Sequence, residues 1–192
     1  MAGIIIPSEE TKLRVSSEGA QSFIDWFYKD INEHRPLSAY YINGNAKYAA
    51  ANLTADIVIN GARLAQPSEY EALLDAQRAA PTPAPGGQGA ATGKQGLRVR
   101  YDVEGWDAHV LNPNFGLACP EHVLARGPDK TGSRISMAVQ VTGVVHLGSG
   151  TAARSLTFSE AFVLVPNWDA QGPKGQRGAK RWLIMSQNYR TL

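Results

Sequence analysis

Cysteine is almost missing from this sequence, because Cys119 is the only one among its 192 residues. A single thiol excludes an internal disulfide, which favours a reducing compartment. The four histidines are scattered and, together with one cysteine, have no spacing typical of a metal site. We therefore expect neither a bound metal nor a cofactor.

Long hydrophobic runs and a strong charge of one sign are missing as well. No stretch approaches the ~20 apolar residues of a membrane-spanning helix, and Met1–Pro7 has no basic region and too short an apolar run for a signal peptide. The net charge of +2 is too small for a protein that coats nucleic acid, so any RNA contact would be local. We expect a soluble nuclear or cytosolic protein with no membrane partner.

Three long runs in the last third of the chain alternate between apolar and polar residues: Arg134–Gly148, Ser155–Pro166 and Arg181–Arg190. Side chains of a strand alternate between two faces, so each run predicts one bulky apolar face and one face of small, mixed residues. Such strands in series predict a broad antiparallel sheet with a core on one side. The other face is neither charged nor strongly apolar, which is typical of a surface that meets another protein.

Helical patterns come earlier in the chain. Residues 8–34 predict a helix whose start Ser8 or Ser17 caps, although Gly19 weakens its continuity. The further predicted elements are a short helix opened by Pro36 and ended by Asn43-Gly44, a strand over Asp56–Asn60, a helix over Ser68–Arg78, and a strand over Leu97–Val110 with a bulge at Gly105. Helices followed by a series of strands predict an α+β fold.

Two stretches rich in Gly and Pro, at about residues 79–96 and 169–180, cannot bury enough apolar surface to order themselves. We predict that both are flexible surface loops. A chain of this length can build one good core, so we expect a single domain over residues 1–192.

The order of these elements, together with several local patterns, resembles the nuclear transport factor 2-like superfamily. The patterns are Arg35–Tyr41, Asn60-Gly61 before the third helix, Val141-Thr142-Gly143, Phe158–Leu164 and the closing Asn188-Tyr189-Arg190. The resemblance implies a cone in which three helices pack on a strongly curved antiparallel sheet.

Within that superfamily the chain is most similar to the small subunits of the heterodimeric mRNA export receptors of filamentous fungi. Three segments carry this likeness: Ile135–Leu147, Phe162–Trp168 and Met185–Arg190. The resemblance implies a non-enzymatic subunit that docks sheet to sheet on the nuclear transport factor 2-like domain of a large subunit. It also implies work on messenger ribonucleoprotein, contact with nucleoporins, and shuttling between nucleus and cytoplasm through nuclear pores.

The face of small residues on the long strands is the expected partner interface, because the opposite face holds the bulky core set. Its members are Gln140, Thr142, Val144, Ser159, Ala161, Val163, Ser186 and Asn188. In the relatives, the Arg that follows the aromatic residue of the closing motif pairs with an acidic group of the partner. The resemblance therefore adds Arg190 to the interface.

Basic residues cluster in and beside the two Gly-rich loops. Lys174, Arg177, Lys180 and Arg181 lie in and beside the second loop, and Lys94 lies near the end of the first. One interpretation is nonspecific contact with RNA phosphates; the other is an ordinary solvated loop. Trp168 and Trp182, at the base of the second loop, either stack on bases or anchor strand ends.

Two further function classes stay open. The same fold hosts enzymes with an acid–base pair in the cone, for which the candidates are Asp25, Asp30, His34, Asp107, His109 and His146. Cys119 with His122 suggests a thiol nucleophile, although a Cys before a Pro is more often inert packing. The other alternative is a homodimeric carrier that imports the small GTPase of nuclear transport. We favour the heterodimer subunit over both.

Overall fold

A computed structural model describes residues 7–80, 98–148, 153–171 and 179–192. The fold is α+β, as predicted, with helices on one side of a single sheet. The elements are α1 (Glu9–Asn32), α2 (Ala46–Ala50), β1 (Asp56–Ile59), β2 (Ala62–Leu64), α3 (Pro67–Ala79), β3 (Val99–Asn112), α4 (Glu121–Leu124), β4 (Ser136–Leu147), β5 (Arg154–Pro166) and β6 (Trp182–Thr191).

The sheet has six strands in the order β2-β1-β6-β5-β4-β3. The neighbours β3 to β6 pair antiparallel, as predicted, but β1 pairs parallel to β6. The prediction of a strongly curved, antiparallel sheet is therefore wrong: the sheet is mixed, and it is not strongly curled. Parallel pairing needs a long connection between its two strands, and strands β2 to β5 with helices α3 and α4 lie between β1 and β6 in the sequence.

Helix α1 is the longest helix of the fold. The Ser8 hydroxyl caps its start by accepting a hydrogen bond from the Thr11 amide at 3.2 Å. The helix runs through Gly19 without a break, and a Cβ added there would lie 2.6 Å from Trp182 Nε1. It ends at Asn32, so the prediction of helix up to residue 34 is wrong at its end, where His34 has a φ of 58°.

Only two helices, α1 and α3, are substantial, which corrects the prediction of three. The segment opened by Pro36 forms two 3-10 turns, Ser38–Tyr40 and Ile42–Gly44. Helix α2 and strand β2 were not predicted, because five and three residues are too few for a periodic signal.

The core joins the helix layer to the apolar face of the sheet. Phe23 and Phe27 from α1 pack edge-on against Phe162 from β5, with ring centroids 5.1 and 5.4 Å apart. Tyr28 packs against Phe158 at 5.8 Å. Each such aromatic pair contributes about 0.5–1.5 kcal/mol beyond the burial of its area. This layer sets which face of the long strands is hidden.

The two predicted flexible loops fall mostly outside the described residues, which exclude 81–97 and 172–178. At the start of the second loop, Asp169 is held by an ion pair with Lys47 and by a 2.8 Å hydrogen bond from Asn45 Nδ2. The first residue of that loop is thus tied to α2 and to its N-cap residue. The predicted bulge at Gly105 is confirmed by a register shift between Val103 and Gly105.

Among the helices that the described ranges contain, none has the length and apolar character needed to cross a bilayer.

Candidate protein interface

The face of the sheet that points away from the helices is formed by rows of small side chains. Pairing across β4, β5 and β6 aligns them strand to strand. One row holds Gln140, Ala161 and Asn188; the next holds Thr142, Ser159 and Arg190; a third holds Ala138, Val163 and Ser186; and Val144 lies at the margin beside Thr157. All nine predicted interface residues lie on this face, and each is exposed or half-buried.

The centre of this open face, the surface formed by those rows, carries few charges. Gln140 Nε2 donates a 2.8 Å hydrogen bond to Ser159 Oγ, so its two central polar groups partly satisfy each other. Short side chains leave a shallow surface on which a second sheet can lie close, since packed sheets are ~10 Å apart. The geometry suits docking by another sheet.

Charged side chains lie mainly at the margins of the open face. On β3, the Asp107 carboxylate is 3.1 Å from His109 Nε2, and both side chains are about three-quarters exposed. Asp102 Oδ2 is 3.2 Å from His146 Nε2, whose other ring nitrogen is 2.8 Å from Ser155 Oγ. This Ser, His and Asp set lies on the open face and belongs to its polar margin.

Arg190 lies at the β6 side of the open face, opposite Ser159 on β5. Its side chain is exposed, and no acidic side chain in the described part of the chain pairs with it. A guanidinium in this position can form a bidentate pair with a carboxylate that another chain supplies.

The interior side of β5 carries a buried acid that the sequence analysis missed. Glu160 is only 1% exposed, and its carboxylate accepts hydrogen bonds from Tyr28 Oη and from Gln187 Nε2 at 2.6 Å. Gln187 Oε1 in turn accepts from Tyr41 Oη at 2.6 Å. The sequence contains one signal of this burial, the alternation of side chains between the two faces of a strand. Glu160 is two residues from Phe158, in a run whose other members on that face are apolar.

Burial raises the pKa of Glu160 to about 7, against the hydrogen bonds from Gln187 and Tyr28, which lower it. Desolvation disfavours the charged carboxylate, so the folded protein binds a proton that a solvated Glu would release. Its 1% exposure leaves the carboxyl enclosed by the core, with no open path for a ligand. The hydrogen bonds of the Glu160 carboxylate therefore link β5 to α1 and to β6.

Comparison with solved structures extends over nearly the whole chain. A chain from the complex of a Sac3N peptide bound to Mex67:Mtr2 is 35% identical, covers 92% of this chain with 99% of its own length, and superposes with a TM-score of 0.78. A chain from the Chaetomium thermophilum Mex67 NTF2-like domain complexed with Mtr2 is 35% identical, with coverages of 92% and 98% and a TM-score of 0.76. The structure of Mtr2 itself matches at 33% identity, with coverages of 92% and 99% and a TM-score of 0.76.

This chain belongs to the Mtr2 family. Its fold is the NTF2-like fold, as the resemblance implied. No family model and no curated protein sequence gives a significant match to the chain. Membership in the Mtr2 family therefore rests on sequence identity to solved structures over nearly their full length.

The acid–base candidates do not converge in this member of the Mtr2 family. Asp30 is buried and accepts a 2.6 Å hydrogen bond from Tyr40 Oη, whereas His34 lies beyond the end of α1 in a left-handed conformation. A spacing of four residues would put these two on one face of a helix, but the helix ends between them. Asp25 is exposed and bonds Gln21. Asp107 and His109 are exposed on the face of β3 that points away from the core.

The surroundings of Cys119, the predicted thiol nucleophile, disfavour its reactive thiolate form. Burial raises the pKa of the Cys119 thiol, although Arg134 opposes the shift. The thiolate is the reactive form, so a raised pKa lowers reactivity at neutral pH. Among the described residues of this Mtr2-family chain, no three His, Cys, Asp or Glu side chains are grouped so that they could hold a metal.

The predicted RNA-contact residues have different surroundings. Lys94, Lys174 and Arg177 lie outside the described residues. Lys180 Nζ lies 3.3 Å from Asp30 Oδ2 and 4.4 Å from the centre of the Tyr40 ring, whereas Arg181 is exposed. Trp168 and Trp182 are each 4% exposed, which supports the interpretation that they anchor strand ends.

Proposed function

We propose that this chain is the small subunit of a heterodimeric mRNA export receptor, and that its open face docks onto the NTF2-like domain of a Mex67-type large subunit. The observation that carries the proposal is 35% identity, over 92% of the chain, to a chain from a Mex67 NTF2-like domain complexed with Mtr2. The partner is inferred from membership in the Mtr2 family. The open face has a shape and polarity that suit docking of that partner.

The nine residues of the open face are the proposed contact set. Gln140, Thr142, Ala161 and Asn188 are exposed at its centre. A standard interface buries roughly 800 Å² on each partner, which a face that spans β4, β5 and β6 can provide. Arg190 is the proposed charged contact, because it stands on the same face with no acid of its own chain beside it.

The wider role follows from the partner. The assembled receptor would carry messenger ribonucleoprotein through nuclear pores, meet nucleoporins and shuttle between nucleus and cytoplasm. One relative was solved with a Sac3N peptide on the heterodimer, so a peptide of that kind is a second proposed ligand of the assembled complex. Residues 1–192 would act as a single domain, because the described elements share one core.

A binding role leaves no part for catalysis. Glu160 is enclosed, the Asp30 carboxylate is engaged by Tyr40 and Lys180, and His34 is separated from it by the helix end. We further propose that Lys94, Lys174, Arg177, Lys180 and Arg181 add nonspecific RNA affinity to the heterodimer. Arg181, exposed and beside residues 172–178, is the strongest described member of this set.

The test is co-expression with a Mex67-type NTF2-like domain, followed by measurement of mass in solution by light scattering. We expect a 1:1 heterodimer, and an isolated chain that is monomeric or prone to aggregation. A stable homodimer that ignores the large-subunit domain would support the import-carrier alternative instead. A stable monomer that neither self-associates nor binds the domain would overturn the proposal.

A further inference from the structure

A cavity of about 550 Å³ lies away from the open face, where the connector between β3 and β4 meets the end of β5. Its wall contains three cationic side chains, Arg126, Lys130 and Arg134, together with the imidazole of His122 and one acid, Asp129. Arg126 and Lys130 are exposed at its rim, whereas Arg134 is only 6% exposed. This basic cavity is independent of the proposed dimer interface.

Arg134 is a buried cation without a counter-ion. Its guanidinium donates to two backbone carbonyls, from Nε to Phe115 O at 3.2 Å and from Nη1 to Gly127 O at 3.4 Å. A guanidinium has five N–H donors, so these two bonds leave capacity for an acceptor. Nη2 has no acceptor among the described residues and is not fully enclosed.

No acidic side chain that the structure describes pairs with the Arg134 guanidinium. All 17 Asp and Glu residues lie in the described ranges, and none forms an ion pair with Arg134 there. Buried charges in proteins are normally paired or bound to a ligand, because removing them from water is costly. An anion from outside the chain would supply the missing counter-charge of the Arg134 guanidinium.

The acid of the cavity wall, Asp129, already accepts hydrogen bonds from its own turn. Asp129 accepts from the Thr131 amide at 2.9 Å, the Thr131 hydroxyl at 2.7 Å, the Ser133 hydroxyl at 3.1 Å and the Arg134 amide at 2.9 Å. Partial burial raises the pKa of Asp129, but these hydrogen bonds outweigh it and lower the pKa below its ordinary value. The carboxylate therefore fixes the turn that carries Lys130 and Arg134.

We propose that the basic cavity binds a phosphate monoester, with Arg134 at its floor and Arg126 and Lys130 at its rim. A guanidinium matches the geometry of phosphate oxygens and can donate to two of them at once. A monoester carries about −1.5 to −2 charge at pH 7 and three acceptor oxygens, which suits three basic side chains. Free phosphate and a phosphorylated serine share this chemistry.

The cavity does not have the features of an RNA site. Binding of single strands combines basic side chains with aromatic faces on which bases stack. The tryptophan of the wall, Trp168, is 4% exposed and stacks on Phe115 with ring centroids 6.3 Å apart. A diester phosphate also carries a sugar on each side, which hinders its approach to Arg134, a residue that is only 6% exposed.

The test uses the full chain, alone and bound to the large-subunit domain, with three probes: inorganic phosphate, a short Ala-Gly peptide with one phosphoserine, and oligouridylate RNA. Calorimetry gives affinities, and the Nε–H resonance of Arg134 reports contact by NMR. We expect saturable binding of phosphoserine peptide, no binding of the same peptide without phosphate, and a shifted Arg134 resonance. Equal affinity for phosphate and the peptide assigns the site to free phosphate.

Rim variants avoid disturbing the buried Arg134. Arg126→Gln and Lys130→Gln should each weaken the binding of the phosphate probes about tenfold, the size of one charged hydrogen bond. Arg63→Gln, exposed on β2 and paired only with Asp56, should leave affinity unchanged. Absence of saturable binding overturns the proposal. So does a shift of the Arg134 resonance by RNA at concentrations equal to or below those of the phosphoserine peptide.

Discussion

The phenol of Tyr28, from α1, donates a hydrogen bond to Glu160 Oε2 on β5 and so joins the helix layer to the sheet at a buried carboxylate. The two residues are 132 positions apart in sequence, and both are buried. A polar group placed this deep specifies how the helix lies on the sheet. It also makes the stability of the fold depend on pH.

The first prediction concerns that pH dependence. Burial raises the pKa of Glu160 from 4.5 to about 7. Between these values the folded state holds a proton that the unfolded state releases, so the contribution of Glu160 is full below pH 4.5 and falls as pH rises through 7. The fall is on the order of 3 kcal/mol, at 1.36 kcal/mol for each unit of pKa.

Glu160→Gln keeps the shape of the side chain and removes its titration. Urea unfolding of the wild type and the variant from pH 4.5 to 8 should show a smaller loss of unfolding free energy in the variant. Other titrating groups cancel in the difference between the two curves. Two curves with the same slope would mean that Glu160 ionises in the fold as it does in water.

The second prediction tests the open face directly. Thr142→Arg or Ala161→Glu should abolish the complex with the large subunit, because each introduces a charge that docking would bury. Each variant should still unfold cooperatively, since both positions are exposed. Ala72→Glu, exposed on α3, is the matched control and should bind normally. Normal binding by the Thr142 and Ala161 variants would show that the interface is elsewhere.

The third prediction concerns Arg190. If its guanidinium pairs with an acid of the large subunit, Arg190→Ala should weaken binding by about 2–5 kcal/mol, the usual cost of leaving one member of a buried pair alone. Titration calorimetry measures this loss. Arg63→Ala, exposed on β2, is the control and should be nearly silent. A loss below about 0.5 kcal/mol would place Arg190 among solvent-exposed charges of little effect.

The fourth prediction concerns the basic set beside β6. Changing Lys174, Arg177, Lys180 and Arg181 to Ala should weaken RNA binding by the heterodimer and flatten its salt dependence. The salt slope of log affinity becomes shallower by ~0.7 for each phosphate of a single strand that is no longer neutralised by a basic side chain. Filter binding at several salt concentrations measures the slope. An unchanged slope would mean that the set is only solvated.

Single variants divide this set further. Lys180 is paired with Asp30 and lies over Tyr40, so Lys180→Ala should lower the unfolding free energy more than Arg181→Ala does. Arg181→Ala should act mainly on RNA affinity, because its side chain is exposed. Loss of the heterodimer in the Arg181 variant would give that residue a structural role at the start of β6.

The fifth prediction sets helix propensity against packing at Gly19. Ala is favoured over Gly inside a helix by about 1 kcal/mol, but a Cβ at Gly19 would lie 2.6 Å from Trp182 Nε1. Overpacking of a buried ring costs about 1–3 kcal/mol. We expect Gly19→Ala to lower the unfolding free energy by roughly 1 kcal/mol.

Thermal and urea unfolding measure the change at Gly19. Gly44→Ala is the control, because its new Cβ would meet nothing closer than Ser38 O at 3.5 Å. Its unfolding free energy should stay within about 0.5 kcal/mol of the wild type. A more stable Gly19 variant would mean that the indole moves aside freely.

The faces of the long strands could be assigned from sequence because their signal is local. Alternation over β4 and β5 places Val139, Val141 and Phe162 inside and Gln140 and Ala161 outside, and the structure confirms this. The same parity puts Glu160 inside, but alternation ranks side chains by hydropathy and cannot show whether a buried acid has partners. Those partners come from α1 and β6, far along the chain.

Sequence alone determined the helix and strand periods, the Asn60-Gly61 turn and the composition of the two sheet faces, because these depend on neighbouring residues. It left the cap of the first helix open between Ser8 and Ser17. Tertiary structure alone decided the parallel pairing of β1 with β6, the ion pair between Lys180 and Asp30, and the burial of Arg134 with no carboxylate of the described ranges paired to its guanidinium. Each of these depends on residues distant in sequence meeting in a water-poor interior. There, desolvation and unpaired charge dominate the energy, and no local pattern records them.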